Sequence, residues 1–103
     1  MKLEAKNAML RIAIRSTEDQ DTWILEGRLA GQVVDELLDA WKKTRREPHV
    51  RKSVVDLVDV TFVDERGERA LAKMMADGAE FVARGVYTKS LLQSLNEGWK
   101  REV

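Results

Sequence analysis

Four carboxylates lie close together near the middle of the chain and offer its clearest possibility for chemistry. They are Asp56, Asp59, Asp64 and Glu65. Clustered carboxylate oxygens can hold Mg²⁺ or accept a phosphoryl group. An apolar run precedes them, so they would stand at or just beyond the carboxyl end of a strand, where open α/β sheets bind ligands. One hypothesis is therefore a ligand- or nucleotide-binding domain, or a Mg-dependent phosphoacceptor domain, that uses Asp56, Asp59 and Asp64.

We favour a structural interpretation of the same carboxylates. Receiver domains, which accept phosphoryl groups on such a cluster, carry a further acidic pair after their first strand and begin with a βα unit. In this chain the apolar stretch Thr22–Gly27 is followed by Arg28, and the pattern described below begins with two strands. We therefore interpret the acids as turn residues and a helix N-cap.

No other catalytic or metal-binding pattern is visible in the sequence. The single histidine, His49, stands beside Pro48 in a charged segment and has no ligand-type neighbours at metal-binding spacing. The chain has no cysteine, which excludes disulfides, thiolate catalysis and cysteine-based zinc sites. Its serines lack the glycines of a nucleophile elbow, and no glycine-rich phosphate-binding loop occurs. We expect the chain not to be an enzyme and to carry no cofactor or metal.

The charge balance argues against nucleic acid as a partner. Eighteen Lys and Arg side chains balance eighteen Asp and Glu, whereas non-specific nucleic-acid binding needs a basic surplus. A local basic cluster could contact an anionic surface, but a solvated helix end that matches the helix dipole is favoured. The cluster consists of Lys42, Lys43, Arg45, Arg46, Arg51 and Lys52. No apolar run approaches the roughly 20 residues of a membrane span, and the amino terminus is typical of a mature cytoplasmic protein.

Two strands begin the predicted fold. Leu10, Ile12 and Ile14 alternate with Arg or Ala, which is the period of a half-buried strand. The polar run 18–21 separates them from a second strand, Thr22–Glu26, which Gly27 would close. Such a pair is most simply antiparallel, and it would leave the edge of the first strand exposed.

Three helices and two further strands follow. Residues 33–41 have helical spacing, and Pro48 should end that first helix. The stretch 53–58 is apolar on both faces, which is typical of a central strand covered on both sides, and a turn would follow at Val58–Asp59. A second helix would run from Asp64 to Gly78. A last strand, Ala79–Ala83, and a last helix after Gly85 would complete the chain. The expected inward-facing residues are Val33, Val34, Leu37, Leu38 and Trp41 in the first helix, Ala70, Leu71, Met74 and Met75 in the second, and Leu91, Leu92, Leu95 and Trp99 in the third.

The order β-β-α-β-α-β-α predicts one α/β domain over residues 1–103, with a core of about 9–95. Strands that are joined through helices should be parallel with right-handed crossovers. The sheet should therefore be mixed and mostly parallel, with four to five strands, three helices and one antiparallel edge.

The segment 54–67 resembles the signature of STAS domains, the family of anti-sigma-factor antagonists and of the cytoplasmic tails of sulphate transporters. The matching residues are Asp56-Leu57, then Val60-Thr61-Phe62-Val63-Asp64, then Gly67. The resemblance continues at Gly27-Arg28-Leu29, at 78–85 and at Leu91-Leu92, so it spans about Met9 to Leu95. It implies the fold described above and a domain that binds other proteins.

The sequence departs from the family pattern at one informative position. STAS domains that are regulated by anti-sigma kinases carry a phosphorylatable Ser or Thr in the two positions before the signature glycine. This chain has Glu65 and Arg66 there, so it lacks the hydroxyl that such a switch needs. Arg66 also opposes the helix dipole in a first turn. Either Asp64, Glu65 and Glu68 neutralise it, or it is held for an acidic group on a partner.

The resemblance and the residues together predict a non-enzymatic STAS adaptor without phosphoserine control. It would dock through the start of its second helix, at Asp64, Glu65, Arg66, Gly67 and Glu68. The resemblance suggests a partner like an anti-sigma kinase-like ATPase, with a role in signalling and the regulation of transcription, or the ATPase subunit of a transporter. A homodimer through the edge of the first strand is a further possibility.

Overall fold

The structure, a computed structural model, describes the backbone of residues 4–6, 10–45 and 52–101, and the side chains of residues 10–44 and 52–96. His49, Pro48, Arg46 and Arg51 lie outside the described residues, as does the side chain of Trp99. The elements are β1 (Glu4–Lys6), β2 (Leu10–Ser16), β3 (Gln20–Leu29), α1 (Val33–Arg45), β4 (Lys52–Val63), α2 (Glu65–Ala76), β5 (Glu80–Val82) and α3 (Val86–Arg101).

The sheet has five strands in the order β1-β2-β3-β4-β5. The pairs β1–β2 and β2–β3 are antiparallel, whereas β3–β4 and β4–β5 are parallel. The predicted α/β fold, with a mixed sheet, three helices and parallel pairing of the helix-linked strands, is confirmed. The strand β1 was not predicted. It pairs with residues 11–13 of β2, so the edge that we expected to be exposed is covered there.

The first hairpin is longer than the sequence predicted. A tight turn joins its strands, because the Thr17 backbone N–H donates to the Gln20 carbonyl at 2.8 Å. Gly27 does not close β3, as we had expected. It has a φ of 104°, which glycine adopts without strain, and β3 continues through it to Leu29.

The predicted turn at Val58–Asp59 is wrong. The strand β4 continues through these residues to Val63, and its register with β3 shifts between Ile24 and Glu26. Such a shift marks a β-bulge. The Asp56 carboxylate accepts a hydrogen bond from the Val58 N–H at 2.9 Å, which satisfies a donor in this irregular part of the strand.

The hydrophobic core lies on one face of the sheet. Alternate residues of β2, β3 and β4 are buried there, and residues of α1 and α2 join the same cluster. Trp23 of β3 and Trp41 of α1 meet edge to face, with ring centroids 5.4 Å apart. The α3 residues Leu91, Leu92 and Leu95 pack against this cluster while remaining partly exposed. The expected burial of β4 on both faces is found on one face only, because Val55 and Leu57 are buried whereas Val54, Asp56 and Val58 are half-buried.

The second helix is fixed at its carboxyl end by its contact with α1. The Trp41 indole N–H donates to the Asp77 carboxylate at 2.8 Å. Asp77 caps α2, and Gly78 follows with a φ of 102°, as expected for a helix stop. The predicted inward residues Ala70, Leu71 and Met74 are buried, whereas Met75 is half-buried. Among the described residues, no helix is both long enough and apolar enough to cross a membrane.

Candidate functional site

The start of α2 is held in place by one side chain, Asp64. One of its carboxylate oxygens accepts the Gly67 N–H at 2.8 Å, which makes Asp64 the N-cap of the helix. The other oxygen accepts the Gly31 N–H at 3.0 Å, in the loop that leads into α1. The backbone N–H of Asp64 donates to the Leu29 carbonyl at 3.2 Å. The N-cap role predicted for Asp64 is confirmed, and the same residue also joins the starts of two helices.

These hydrogen bonds lower the pKa of the Asp64 carboxyl below its usual range. The largest contribution is the bond from the Gly67 N–H, and the Gly31 N–H and the Arg66 charge act in the same direction, while partial burial opposes them. Each of the favourable contacts stabilises the charged form. Asp64 is therefore ionised at neutral pH, and its negative charge lies at the positive end of the α2 dipole.

We expect Asp64→Ala to lower the free energy of unfolding by about 1–2 kcal/mol at pH 7, which is the usual effect of removing an N-cap. Because the folded-state pKa is depressed, the charged carboxylate stabilises the fold above its unfolded pKa of about 3.9. That contribution is lost as the pH falls through the lower folded-state pKa. Urea unfolding at pH 7 and below pH 3 should therefore show a smaller difference between wild type and variant in acid.

The control for this experiment is Asp59→Ala, because Asp59 is an exposed acid on the neighbouring strand. Its effect should stay within about 0.5 kcal/mol at both pH values, as for ordinary surface substitutions. If Asp64→Ala costs no more than the control at pH 7, the capping role of Asp64 is wrong.

Gly67 brings the first turn of α2 into direct contact with the sheet. A Cβ atom at this position would lie 2.7 Å from the Val63 Cγ1 atom and closer still to the Leu29 carbonyl oxygen. The signature glycine is therefore required here by close packing. Because the backbone of the first turn is pressed against β3 and β4, the points from which its outer side chains project are fixed.

The outer surface of this turn carries opposite charges. Glu65 and Arg66 are both exposed. The Arg66 guanidinium lies 3.7 Å from the carboxylate of Asp35 in the first turn of α1. The sequence analysis did not predict Asp35 as a partner of Arg66, because the two residues are 31 positions apart and no sequence pattern relates them. Both side chains remain more than half exposed, so the pair is open to contact from outside.

Two further contacts beside the α2 start were missed by the sequence analysis. The Tyr87 hydroxyl of α3 accepts the Val63 N–H at 2.9 Å, so it binds the last residue of β4. The Arg28 guanidinium lies 4.6 Å from the centre of the Phe62 ring, a distance typical of cation–π contacts. Phe62 and Tyr87 are both exposed. Apolar surface therefore adjoins the charged first turn of α2.

The carboxylates proposed as a ligand site are not brought together as a cluster that could hold a metal. Asp56 lies within β4 beside the bulge, Asp59 lies further along the same strand, and only Asp64 follows its carboxyl end. Both Asp64 oxygens already accept backbone N–H groups. Within residues 10–44 and 52–96, no group of three or more His, Asp or Glu side chains could hold a metal ion. The geometry favours the structural interpretation of these acids.

The basic cluster is described only in part. Lys42 and Lys43 are exposed on α1. Lys52 forms an ion pair with Glu80 of β5, with 2.8 Å between Nζ and a carboxylate oxygen. Arg46 and Arg51 lie outside the described residues. The described members of the cluster thus lie on α1 and at the start of β4.

Comparison with known proteins shows the fold. No family model matches the sequence, and no curated protein matches it significantly. Among solved structures, the chain is similar to an anti-sigma-factor antagonist, a STAS domain from Rhodobacter sphaeroides, with a TM-score of 0.56 and 22% identity over 78% of this chain and 90% of that one. It is also similar to an uncharacterised DUF3478-family protein with a SpoIIAA-like fold from Shewanella loihica, with a TM-score of 0.57 and 9% identity over 91% of this chain and 82% of that one.

Proposed function

We propose that this chain, which has the fold of STAS domains, is a non-enzymatic adaptor that docks onto a partner protein through the start of α2. The fold supports an interaction or regulatory domain. The proposed contact residues are Asp64, Glu65, Arg66, Gly67 and Glu68. Among them, Glu65 and Arg66 would touch the partner, while Asp64 and Gly67 hold the backbone in position.

One observation carries this proposal: an exposed pair of opposite charges stands on a backbone that cannot easily move. The Asp64 hydrogen bonds fix the loop before the helix, and the close approach at Gly67 fixes its first turn. A preorganised surface loses little conformational freedom on binding, and this favours affinity. Opposite charges at fixed positions also favour one orientation of the partner over others.

We propose as the partner a protein that resembles an anti-sigma kinase-like ATPase or the ATPase subunit of a transporter. The similarity to an anti-sigma-factor antagonist supports the first of these. The absence of a hydroxyl at positions 65 and 66 supports an interaction that phosphoserine does not control. Photo-crosslinking in the native host can identify the partner, with a crosslinker at Glu65 and a control crosslinker at Glu18. Glu18 lies in the β2–β3 turn, at the opposite end of the strands.

We expect Arg66→Glu to raise the Kd of the crosslinked partner at least about tenfold, or about 1.4 kcal/mol. The substitution removes a positive charge that a partner acid would meet, and it places a third acid beside Asp35 and Glu65. Fold stability should change by less than about 1 kcal/mol, because an exposed ion pair contributes little and a first-turn Glu agrees with the helix dipole. Calorimetry at two salt concentrations measures the binding.

The matched control for the binding experiment is Lys43→Glu, the same charge reversal on the exposed surface of α1. It should leave the affinity for the partner within about twofold of wild type, because a charge away from the contact acts only through the screened long-range field. Loss of binding in Lys43→Glu with normal binding in Arg66→Glu would move the docking surface to the basic cluster.

We expect an anti-sigma-type serine kinase with ATP to leave the segment Asp64–Gly67 unphosphorylated, as measured by peptide mass spectrometry. The segment holds no hydroxyl side chain. The nearest hydroxyl residue along the chain is Thr61, which donates its hydroxyl to the Gly27 carbonyl at 3.2 Å. Phosphate on Thr61 would contradict this expectation and would show that the acceptor lies upstream.

A further inference from the structure

The first turn of α3 presents apolar side chains to solvent. Among the described residues, four large apolar side chains are exposed, and two of them, Val86 and Tyr87, are neighbours in this turn. Val86 is 86% exposed and Tyr87 is 47% exposed. Burial of such side chains against a partner removes apolar area from water, and tyrosine is enriched among the residues that dominate binding energies. The pair is therefore a candidate anchor for a partner.

An uncharged surface continues from this pair along α3. Ser90 follows Val86 by one turn and Ser94 follows Tyr87 by two, so the four residues are neighbours on one side of the helix. All four are exposed, and together they are here called the α3 surface. Lys89 is the only charged residue among the described side chains of α3, whereas the exposed sides of α1 and α2 consist mostly of charged residues. Few charges around an exposed aromatic are typical of the central part of a protein interface.

The α3 surface adjoins the start of α2. The Tyr87 hydroxyl accepts the Val63 N–H at 2.9 Å and donates to the Val63 carbonyl at 3.4 Å. Only Asp64 separates Val63 from the first residue of α2. The two helices also contact each other, and both follow parallel strands, β4 and β5. A protein that docks on the start of α2 is therefore within reach of the α3 surface.

We propose that the α3 surface is the second half of the docking surface and that it receives an uncharged, apolar part of the partner protein. The proposal rests on the proposed function, because it takes the partner to be the protein that binds the start of α2. The lack of charge on the α3 surface selects the partner's chemistry. An acid or a base buried there would lose its hydration without gaining an opposite charge, which costs affinity. Arg66 and the apolar pair would thus bind two different groups of one partner, an acid and an apolar side chain.

The charges around the α3 surface favour a protein over a membrane. Binding to an anionic bilayer draws on clusters of Lys and Arg beside apolar residues. Arg84 and Lys89 flank the apolar pair along the chain, but the neighbouring first turn of α2 carries the acids Glu65 and Glu68. Anionic lipid would repel these acids. A protein surface therefore fits this part of the molecule better than a bilayer.

Photo-crosslinking and two opposite charges at Val86 test the proposal. A crosslinker at Val86 should capture the same protein as the crosslinker at Glu65, and capture of a different protein, or of none, would overturn the proposal. In calorimetry with that protein, Val86→Asp and Val86→Lys should each raise the Kd at least about tenfold, because each places a charge in an apolar contact. Val86 is exposed, so both variants should fold, which circular dichroism checks. If either charge tightens binding or leaves it unchanged, the partner is not apolar at this point and the proposal is wrong.

The matched control for the Val86 variants is Val82→Asp. Val82 is also an exposed valine. Phe81, the residue before it in β5, packs against the core, so Val82 points to the opposite face of the sheet. The Kd of Val82→Asp should stay within about twofold of wild type, because a charge away from the contact acts only through the screened long-range field. Equal weakening by Val82→Asp and Val86→Asp would contradict a contact at the α3 surface.

Comparison with Arg66→Glu distinguishes this proposal from the docking of the α2 start. Weak binding of Arg66→Glu with normal binding of both Val86 variants would keep the α2 start and overturn the α3 surface. Weak binding of the Val86 variants with normal binding of Arg66→Glu would overturn the α2 start and leave the apolar contact in place. Sedimentation of the wild-type chain, but not of Val86→Asp, with phosphatidylcholine–phosphatidylserine vesicles would overturn the proposal, because the α3 surface would then bind lipid.

Discussion

We expect Leu71→Ala to lower the free energy of unfolding by about 2–5 kcal/mol, the range for truncation of a buried leucine. Leu71 is fully buried, at 0% exposure, and belongs to the cluster formed by α1, α2 and the sheet. The truncation would remove apolar contacts and leave a cavity within this cluster. Since close-packed interiors relax only in part, that cavity adds to the loss of burial. Urea unfolding, followed by tryptophan fluorescence, measures the change.

Glu68→Ala is the control for Leu71→Ala, because it lies one turn earlier on α2 and outside the core cluster. It removes a favourable first-turn acid, so it should cost less than about 1 kcal/mol. Equal shifts of the two urea midpoints would mean that the helix presents a different face to the sheet.

We expect Gly67→Ala to destabilise the fold by about 1–3 kcal/mol, the usual range for overpacking. In an exposed helix interior, the same substitution would stabilise by about 1 kcal/mol, since alanine is the better helix former. At Gly67, steric overlap makes the same substitution destabilising instead. The new methyl group would overlap the Leu29 carbonyl oxygen, which belongs to the backbone and cannot rotate away. To make room, α2 would have to move outward and pull Asp64 from its two hydrogen bonds.

The matched control for Gly67→Ala is Glu65→Ala, in the same turn but exposed. Its stability should stay within about 0.5 kcal/mol of wild type. Thermal unfolding of both variants distinguishes steric overlap at Gly67 from the effect of an ordinary surface substitution in the same turn. A Gly67→Ala protein as stable as wild type would show that the first turn of α2 is not pressed against the sheet.

The sequence predicted those elements whose pattern is regular. Period-two alternation located β2, and helical spacing located all three helices. The N-cap at Asp64 could be predicted because capping depends on residues within one turn, and the hydrogen bond from Gly67 confirms it.

The errors occur where an irregular strand looks like a loop. Val58-Asp59 and Gly27 both suggested the end of a strand, but the first pair lies within β4 at a bulge, and β3 continues through Gly27. In each case, pairing with the neighbouring strand outweighs the local preference, and a single sequence does not show that pairing. The strand β1 has only three residues, too short for a period to be recognised.

The sequence analysis predicted where the candidate site lies, but not which contacts hold it together. The resemblance pointed to residues 64–68. It did not reveal that Asp64 also binds Gly31, or that Arg66 pairs with Asp35. These contacts join residues more than 30 positions apart, and they depend on how α1 and α2 lie side by side. Folding brings the α1 start into the site, so a partner that docks on α2 would also touch Asp35.

Because its hydroxyl accepts the Val63 N–H, the Tyr87 side chain can report whether α3 stays packed against the end of β4. Tyr87 is the single tyrosine of the chain, and its hydroxyl contacts the last residue of β4 at 2.9 Å. Replacing it with 3-fluorotyrosine would give one ¹⁹F resonance, which needs no assignment. Because its ring is 47% exposed and lies beside the α2 start, that resonance would respond both to lifting of α3 and to the arrival of a partner.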